Sequence, residues 1–193
     1  MGKLYLLRHG ETEWSLDGRH TGRTDIDLTP AGERQARAAK AVLAAVRGDG
    51  PLRVLTSPRR RALRTAELAG LRVDETTEEL AEWDYGDYEG ITTDRIRETV
   101  PGWTVWSHPI PGGESAGDVA ARADRVLGKL DGLLGDSDVV VVGHGHFSRV
   151  LVARRLGLPA PAGVHFGLEP ASVSALGDER GVPQLRHLNV PSM

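Results

Sequence analysis

The sequence predicts an α/β fold, a three-layer α/β/α sandwich on a mostly parallel sheet, and three observations point to it. Two runs, Lys3-Leu4-Tyr5-Leu6-Leu7 and Val139-Val140-Val141-Val142, lack the polar alternation of a half-exposed strand. Continuous apolar runs of that length mark strands covered on both faces, as in a parallel sheet. Stretches with apolar residues at helical spacing stand between the predicted strands, the rhythm of βαβ units. Both runs also end in a histidine beside a glycine, at Arg8-His9-Gly10 and Gly143-His144-Gly145. Open α/β sheets bind ligands where the chain leaves the carboxyl ends of the strands.

The elements follow in order. Residues 13–28 are polar and glycine-dotted and read as a long loop. Thr29-Pro30 supplies an N-cap followed by proline at the first helical position, and Ala36, Ala39, Leu43 and Val46 repeat at helical spacing up to the breaker Gly48-Asp49-Gly50-Pro51. Arg53–Thr56 is the second strand. Ser57-Pro58 repeats the cap-and-proline pattern, with Ala62, Ala66 and Ala69 on the close-packing face of its helix. Leu71-Arg72-Val73 reads as a short third strand.

Residues 81–113 break the rhythm. They hold three of the four tryptophans and two of the three tyrosines, and they read as a small aromatic insertion over the sheet rim. Ser115 and Asp118 have capping-box spacing ahead of a helix striped by Val119, Ala123, Val126, Leu130 and Leu133. After the valine strand comes a helix with Phe147, Val150 and Leu151, then two last strands, Ser172–Leu176 and Gln184–Leu188, joined through Asp178–Gly181.

A chain of 193 residues suits one domain, 1–193, with the insertion as a lid. The net charge of −3, with no basic block longer than Arg59-Arg60-Arg61, argues against a nucleic-acid partner. No apolar run reaches membrane-spanning length. Zero cysteines exclude disulfides, thiolate metal sites and a cysteine nucleophile. The opening residues carry no secretory pattern, so a cytoplasmic enzyme is expected. A homodimer is left open.

If the two histidine-ended strands share one sheet, both imidazoles converge on one rim. Thr56-Ser57-Pro58-Arg59-Arg60-Arg61 adds guanidinium groups and a helix N-terminus. Such a set suits a tetrahedral dianion, for which arginine is the bidentate partner. Blander readings stand beside it. A histidine after a strand is often structural, the triple arginine includes a solvated face at Arg59 or Arg60, and His144-Gly145-His146 has the look of half a metal site. No further ligand cluster completes that site in the sequence, so no metal is expected.

Arg8-His9-Gly10-Glu11-Thr12 resembles the signature of the histidine phosphatase superfamily, first branch, which includes the cofactor-dependent phosphoglycerate mutases. The resemblance continues through 21–29, 56–62, 80–90, 112–115 and 142–145, five further blocks in family order. It implies a phosphoglycerate mutase-like fold. By the resemblance, His9 is the nucleophile that takes the phosphoryl group, and Arg8, Arg61 and His144 clamp its oxygens. Glu82 is the acid for the leaving oxygen and then the base for water. Substrate contacts are implied at Ser15, Thr21, Gly22, Tyr85 and Gly145 as well as at Arg8, Arg61 and His144.

Within the family, Glu82–Gly90, the Trp103/Trp106 pair and His144-Gly145-His146 are most similar to sedoheptulose-bisphosphatase-like small-molecule phosphatases. Ser15 replaces the asparagine of many members, and the segment after Gly90 is shorter than in the mutases. The expectation is therefore metal-independent, cofactor-free hydrolysis of a small phosphorylated metabolite, a sugar phosphate or bisphosphate. The rivals are mutase-type transfer and a non-catalytic phospho-ligand module.

Overall fold

Successive valines of the 139–142 run face opposite cores. Val139 and Val141 pack with Leu4, Leu6, Val126, Leu130 and Val150, whereas Val140 and Val142 pack with Tyr5, Leu7, Ala39, Ala62 and Ala66. The alternation follows from the two-residue period of a strand, and burial of both faces explains why the run carries no polar residue. The computed structural model describes residues 2–192.

The six strands are β1 (Leu4–Arg8), β2 (Leu52–Thr56), β3 (Glu75–Thr76), β4 (Asp138–Gly143), β5 (Val173–Glu179) and β6 (Val182–Val190), in the order β3-β2-β4-β1-β5-β6. The first four in that order are mutually parallel. β5 runs antiparallel to β1, and β6 antiparallel to β5. Helices α2 (Pro30–Val46) and α3 (Arg60–Leu68) cover one face, and α5 (Ala116–Leu134) and α6 (Gly145–Arg155) the other. This is the three-layer, mostly parallel sandwich that the sequence predicts.

The capping signals hold at two of three helices. Thr29 Oγ1 accepts from the Gly32 amide at α2, and Ser115 and Asp118 form a reciprocal box at α5. The third differs. α3 begins at Arg60 behind an uncapped Arg59, so Ser57-Pro58 is not its cap; the Ser57 hydroxyl goes to His144 instead.

Two further readings are corrected. Residues 13–28 include a short helix, α1 (Glu13–Asp17), which Thr12 and Ser15 cap reciprocally; five residues are too few to show a helical stripe. The third strand is Glu75–Thr76 and not Leu71-Arg72-Val73. Leu71 and Val73 do pack on the core, but pairing with β2 starts only at Asp74, whose amide donates to Val54 O while its carboxylate accepts from Val54 N–H.

Residues 81–113 contain α4 (Thr93–Arg97) and feed the core on the α5/α6 face through Trp83, Tyr85, Ile96, Trp103, Val105, Trp106 and Ile110. Trp83 and Trp106 meet edge to face at 5.7 Å, a favoured aromatic geometry. The aromatic residues thus anchor the segment that carries Glu82.

Candidate active site

The site is a consequence of register. Arg8 is paired with Gly143 across β1 and β4, and Thr56 with Val142 across β2 and β4. The next residues on the three strands are His9, His144 and Ser57. The His9 amide still donates to Gly143 O at 2.9 Å and the Ser57 amide to Val142 O at 3.0 Å, so the ladder carries all three to one rim. The His9 and His144 rings meet edge on, with centroids 5.3 Å apart.

Both imidazoles are buried and neutral. Burial pushes the His9 pKa well below the usual histidine range, with Arg61 and Arg8 adding to the effect. Burial does the same to His144, followed by Arg61, His9, Arg59 and Arg8. His9 Nδ1 lies 2.7 Å from Gly10 O. A neutral ring that donates there keeps its lone pair on Nε2. Gly10 is glycine because its Cα rests on helix α2: a Cβ would stand 2.4 Å from Gly32 O.

Two arginines border the pair. Arg61 is completely buried, donating to the carbonyls of Thr24, Thr21 and Gly22. Glu89 takes the amides of Gly22 and Thr24 in the same loop. Carbonyls and amides of residues 21–24 are therefore held from opposite charges. Arg8 donates to Leu168 O. Arg8 Nε, Arg61 Nε and His144 Nδ1 are buried polar atoms without a protein partner. Buried polar atoms left unpartnered cost about 1–3 kcal/mol each, and their presence on three residues around the His9 ring suits an anionic ligand.

Glu82 reaches the rim from the aromatic segment. Its carboxylate accepts from the amides of His146 (2.9 Å) and Phe147 (2.7 Å), in the first turn of α6, and from Trp83 N–H (2.8 Å). His144 makes no side-chain cap at that helix, so Glu82 serves as a remote one. At Gly145 a Cβ would stand 3.4 Å from Arg8 Nε and 3.7 Å from Glu82 Oε2. Glycine leaves that space between cation and carboxylate open.

A cleft of about 230 Å³ extends from this point, lined by Arg8, His9, Ser15, Thr21, Glu82, Tyr85 and Gly145 together with Arg19, His20, Thr93, His146 and Arg149. Tyr85 Oη lies 2.6 Å from His146 Nδ1. Burial raises the phenol well above its ordinary pKa and holds the His146 pKa well below, so the two are joined as neutral groups. His20 stacks within 4.7 Å of Tyr85 and is pushed down to about 4, chiefly by burial.

The expected residues are thus together, in two tiers. His9, Arg8, Glu82, Ser15, Thr21, Tyr85 and Gly145 line the cleft, while Arg61, His144 and Gly22 lie behind it, the Gly22 amide committed to Glu89. Of the arginines expected to face solvent, Arg60 does so, pairing with Asp27, but the Arg59 side chain is only 19% exposed and pairs with Glu78. Sequence reading missed Ser57 as a partner of His144, Glu89, the cleft residues His20 and Arg149, and the ion pair of buried Arg122 with half-buried Glu114. The spacing of Ser57-Pro58 as a false cap and the Gly-Gly-Glu-Ser block were the available signals.

Fold and rim together define a doubly covered α/β domain with a cationic, imidazole-lined anion site at its strand ends. The chain belongs to the histidine phosphatase superfamily, branch 1, whose model matches residues 4–191. It is similar to an acid phosphatase of Mycobacterium tuberculosis, 49% identical over 188 residues, covering 97% of this chain and 92% of the relative. A solved structure from an open reading frame of the same organism superposes with a TM-score of 0.96 at 47% identity, covering 100% of this chain and 99% of that one. The sedoheptulose 1,7-bisphosphatase of Saccharomyces cerevisiae is 34% identical over 185 residues, covering 81% of this chain and 68% of its own. Among the described residues no helix is long and apolar enough to cross a membrane.

Proposed function

We propose that the protein is a cytoplasmic phosphomonoester hydrolase that works through a phosphohistidine at His9 on a small phosphorylated metabolite, a sugar phosphate or sugar bisphosphate. The observation that carries the reading is the His9 ring itself: neutral, fixed through Nδ1 to Gly10 O, and surrounded by the unpartnered Arg8 Nε, Arg61 Nε and His144 Nδ1. In the first step Nε2 bonds to phosphorus, the bond to the leaving oxygen breaks, and Glu82 in its acid form gives that oxygen its proton. In the second step Glu82 takes a proton from water, whose oxygen displaces the ring nitrogen and releases phosphate. Splitting one displacement into two is the benefit of a covalent intermediate. Arginines and an imidazole supply the positioning and charge neutralisation that phosphoryl transfer demands.

The support for a sugar bisphosphate is the cleft, which carries two further cations, Arg19 and Arg149, beyond the His9 rim. The test is to mix enzyme and substrate briefly, quench in alkali and measure acid-labile phosphate on the protein. Wild type should trap it and a folded His9→Ala variant should trap none and lose nearly all turnover; near-normal turnover in that variant overturns the reading. Chelation should leave the rate unchanged, and a loss restored by zinc or manganese would assign the chemistry to a metal.

A further inference from the structure

Arg122 lies on α5, outside the cleft, and is 7% exposed. Its five N–H donors are all engaged. Nε and one amino group grip Glu114 in a fork (2.9 and 2.8 Å), and the rest reach the carbonyls of Glu79 (3.0 Å), Ala81 (2.8 Å) and Glu82 (3.3 Å). Glu114 completes the enclosure from the other side. Its carboxylate accepts from Asp84 N–H (2.9 Å), its amide donates to Asp84 O (3.0 Å), and its carbonyl accepts from the Trp83 indole (2.9 Å). The backbone on both sides of Glu82 is thus held by one ion pair. The Arg122 guanidinium also stacks 4.1 Å from the ring centroid of Phe147, the residue whose amide donates to Glu82 Oε1.

A buried charge is costly unless paired and hydrogen-bonded throughout. Here three of the five donors hold carbonyls of the segment that presents Glu82, and the other two hold Glu114, which grips Asp84 on the same segment. We propose that Arg122, with Glu114, is a positioning residue for Glu82: the pair fixes the carboxyl's place between the leaving oxygen and the first turn of α6. The proposal rests on the reading of Glu82 as acid and base. Small displacements of an acting group are expensive, about 10²-fold for an ångström. Lysine at 122 keeps the charge but cannot make the fork or serve three carbonyls at once.

The experiment uses wild type, Glu82→Gln, Arg122→Lys and the double variant, each confirmed folded by its melting transition. The first phosphoryl transfer is read as the pre-steady-state release of phenol from phenyl phosphate and of nitrophenol from para-nitrophenyl phosphate. Phenoxide needs the acid's proton far more than nitrophenoxide does. Inhibition by inorganic phosphate reports the arginine and imidazole pocket separately. Arg122→Lys should slow phenol release about 10²-fold and nitrophenol release only a few-fold, with phosphate inhibition within about twofold of wild type. In the Glu82→Gln background it should cost almost nothing more, because its effect runs through Glu82.

Equal losses on the two substrates, weakened phosphate inhibition, or a full further loss in the double variant would overturn the positioning role and leave a merely structural one. Should Glu82→Gln itself slow both substrates equally, the acid–base reading fails first and the proposal falls with it. If Arg122→Lys does not fold, Glu114→Gln carries the same measurement: it keeps the size of the side chain while turning a donor toward the guanidinium. The same leaving-group pattern is expected from it, and an unaltered rate on phenyl phosphate would sink the proposal.

Discussion

Ser57 Oγ lies 2.7 Å from His144 Nε2, and this contact decides which nitrogen of the imidazole faces the anion site. The Arg59 amide donates to the same hydroxyl at 3.4 Å, and a serine that accepts there while giving its own proton to Nε2 fixes the ring tautomer. The proton of the neutral ring then sits on Nδ1, a buried atom without a protein partner. Ser57→Ala frees the ring to take the other tautomer. It should lower kcat/KM and weaken phosphate inhibition together, each by about tenfold, the worth of one hydrogen bond to a charged group. Ser57→Thr should retain most of both. Unchanged phosphate inhibition in the alanine variant would show that the serine does not set the tautomer.

The buried imidazoles make a prediction about pH and rate. As the proposed nucleophile His9 must be neutral to attack, and burial, Arg61 and Arg8 hold its pKa well below 6.5. The nucleophile therefore stays competent as pH falls through the range where a free histidine would be lost. Between pH 7.5 and 5.5, kcat/KM should not show an acid limb. A one-proton decline with its midpoint near 6.5 would mean that His9 titrates like a solvated histidine.

The same imidazoles link pH to stability. His20 is pushed down to about 4, mainly by burial, with Glu89 opposing the shift. The unfolded chain takes up a proton near 6.5 and the folded chain resists until about 4, so stability present above 6.5 is lost as pH falls toward 4. From the size of that shift, about 2–3 kcal/mol should go over this window. His9, His144 and His146 titrate low as well, so the comparison is with His20→Phe, which should flatten the pH dependence of the unfolding free energy by that amount. Parallel curves for the two proteins would count against the assignment.

How much of this was legible turns on which residues act locally. β1 and β4 could be read because burial on both faces leaves residues 4–7 and 139–142 without the polar alternation of an exposed strand, and His9 and His144 because they follow the ends of those runs. Ser57 was misread, since a serine before proline looks the same whether it caps a helix or faces another strand. Leu71 and Val73 mimic a strand because side-chain burial and backbone pairing separate there: the residues pack, and Asp74 sets the pairing. Arg122 acts on carbonyls some forty positions away. Glu89 acts on amides more than sixty positions away. No periodicity in a polar stretch announces such a contact.

Gly10 and Gly32 touch backbone to backbone, which ties the His9 loop to the first turn of α2. A Cβ at Gly10 would stand 2.4 Å from Gly32 O, and one at Gly32 would stand 2.1 Å from Glu11 O. Neither contact can be relieved by a rotamer change. Gly10→Ala and Gly32→Ala should each destabilise by about 1–3 kcal/mol or more, the usual cost of overpacking, and should lower kcat in the surviving folded fraction by displacing the carbonyl that holds His9 Nδ1. A melting temperature and kcat equal to wild type in Gly10→Ala would show that the loop gives way freely.

The remaining prediction concerns the second anionic group of a bisphosphate. Arg149 and Arg19 both line the cleft, but they differ in how far they are already committed. Arg149 donates through Nε to Gly163 O and through an amino group to Val164 O, and it lies 4.7 Å from the Trp106 ring centroid, so its removal would disturb the wall itself. Arg19 has one ion-pair partner among the described residues, Asp17 at 3.1 Å, lies 5.9 Å from the Trp14 ring centroid, and has a side chain 44% exposed. It is the cleaner probe. Arg19→Gln should raise KM for a sugar bisphosphate about fivefold, the scale of roughly 1 kcal/mol that an exposed ionic contact contributes. The effect should shrink as salt is added, because that contact is open to screening. Turnover of para-nitrophenyl phosphate, which has no second anion, should stay within about twofold of wild type. A KM that rises equally for both substrates would mean that Arg19 only shapes the turn after α1, and that it does not hold a second phosphate.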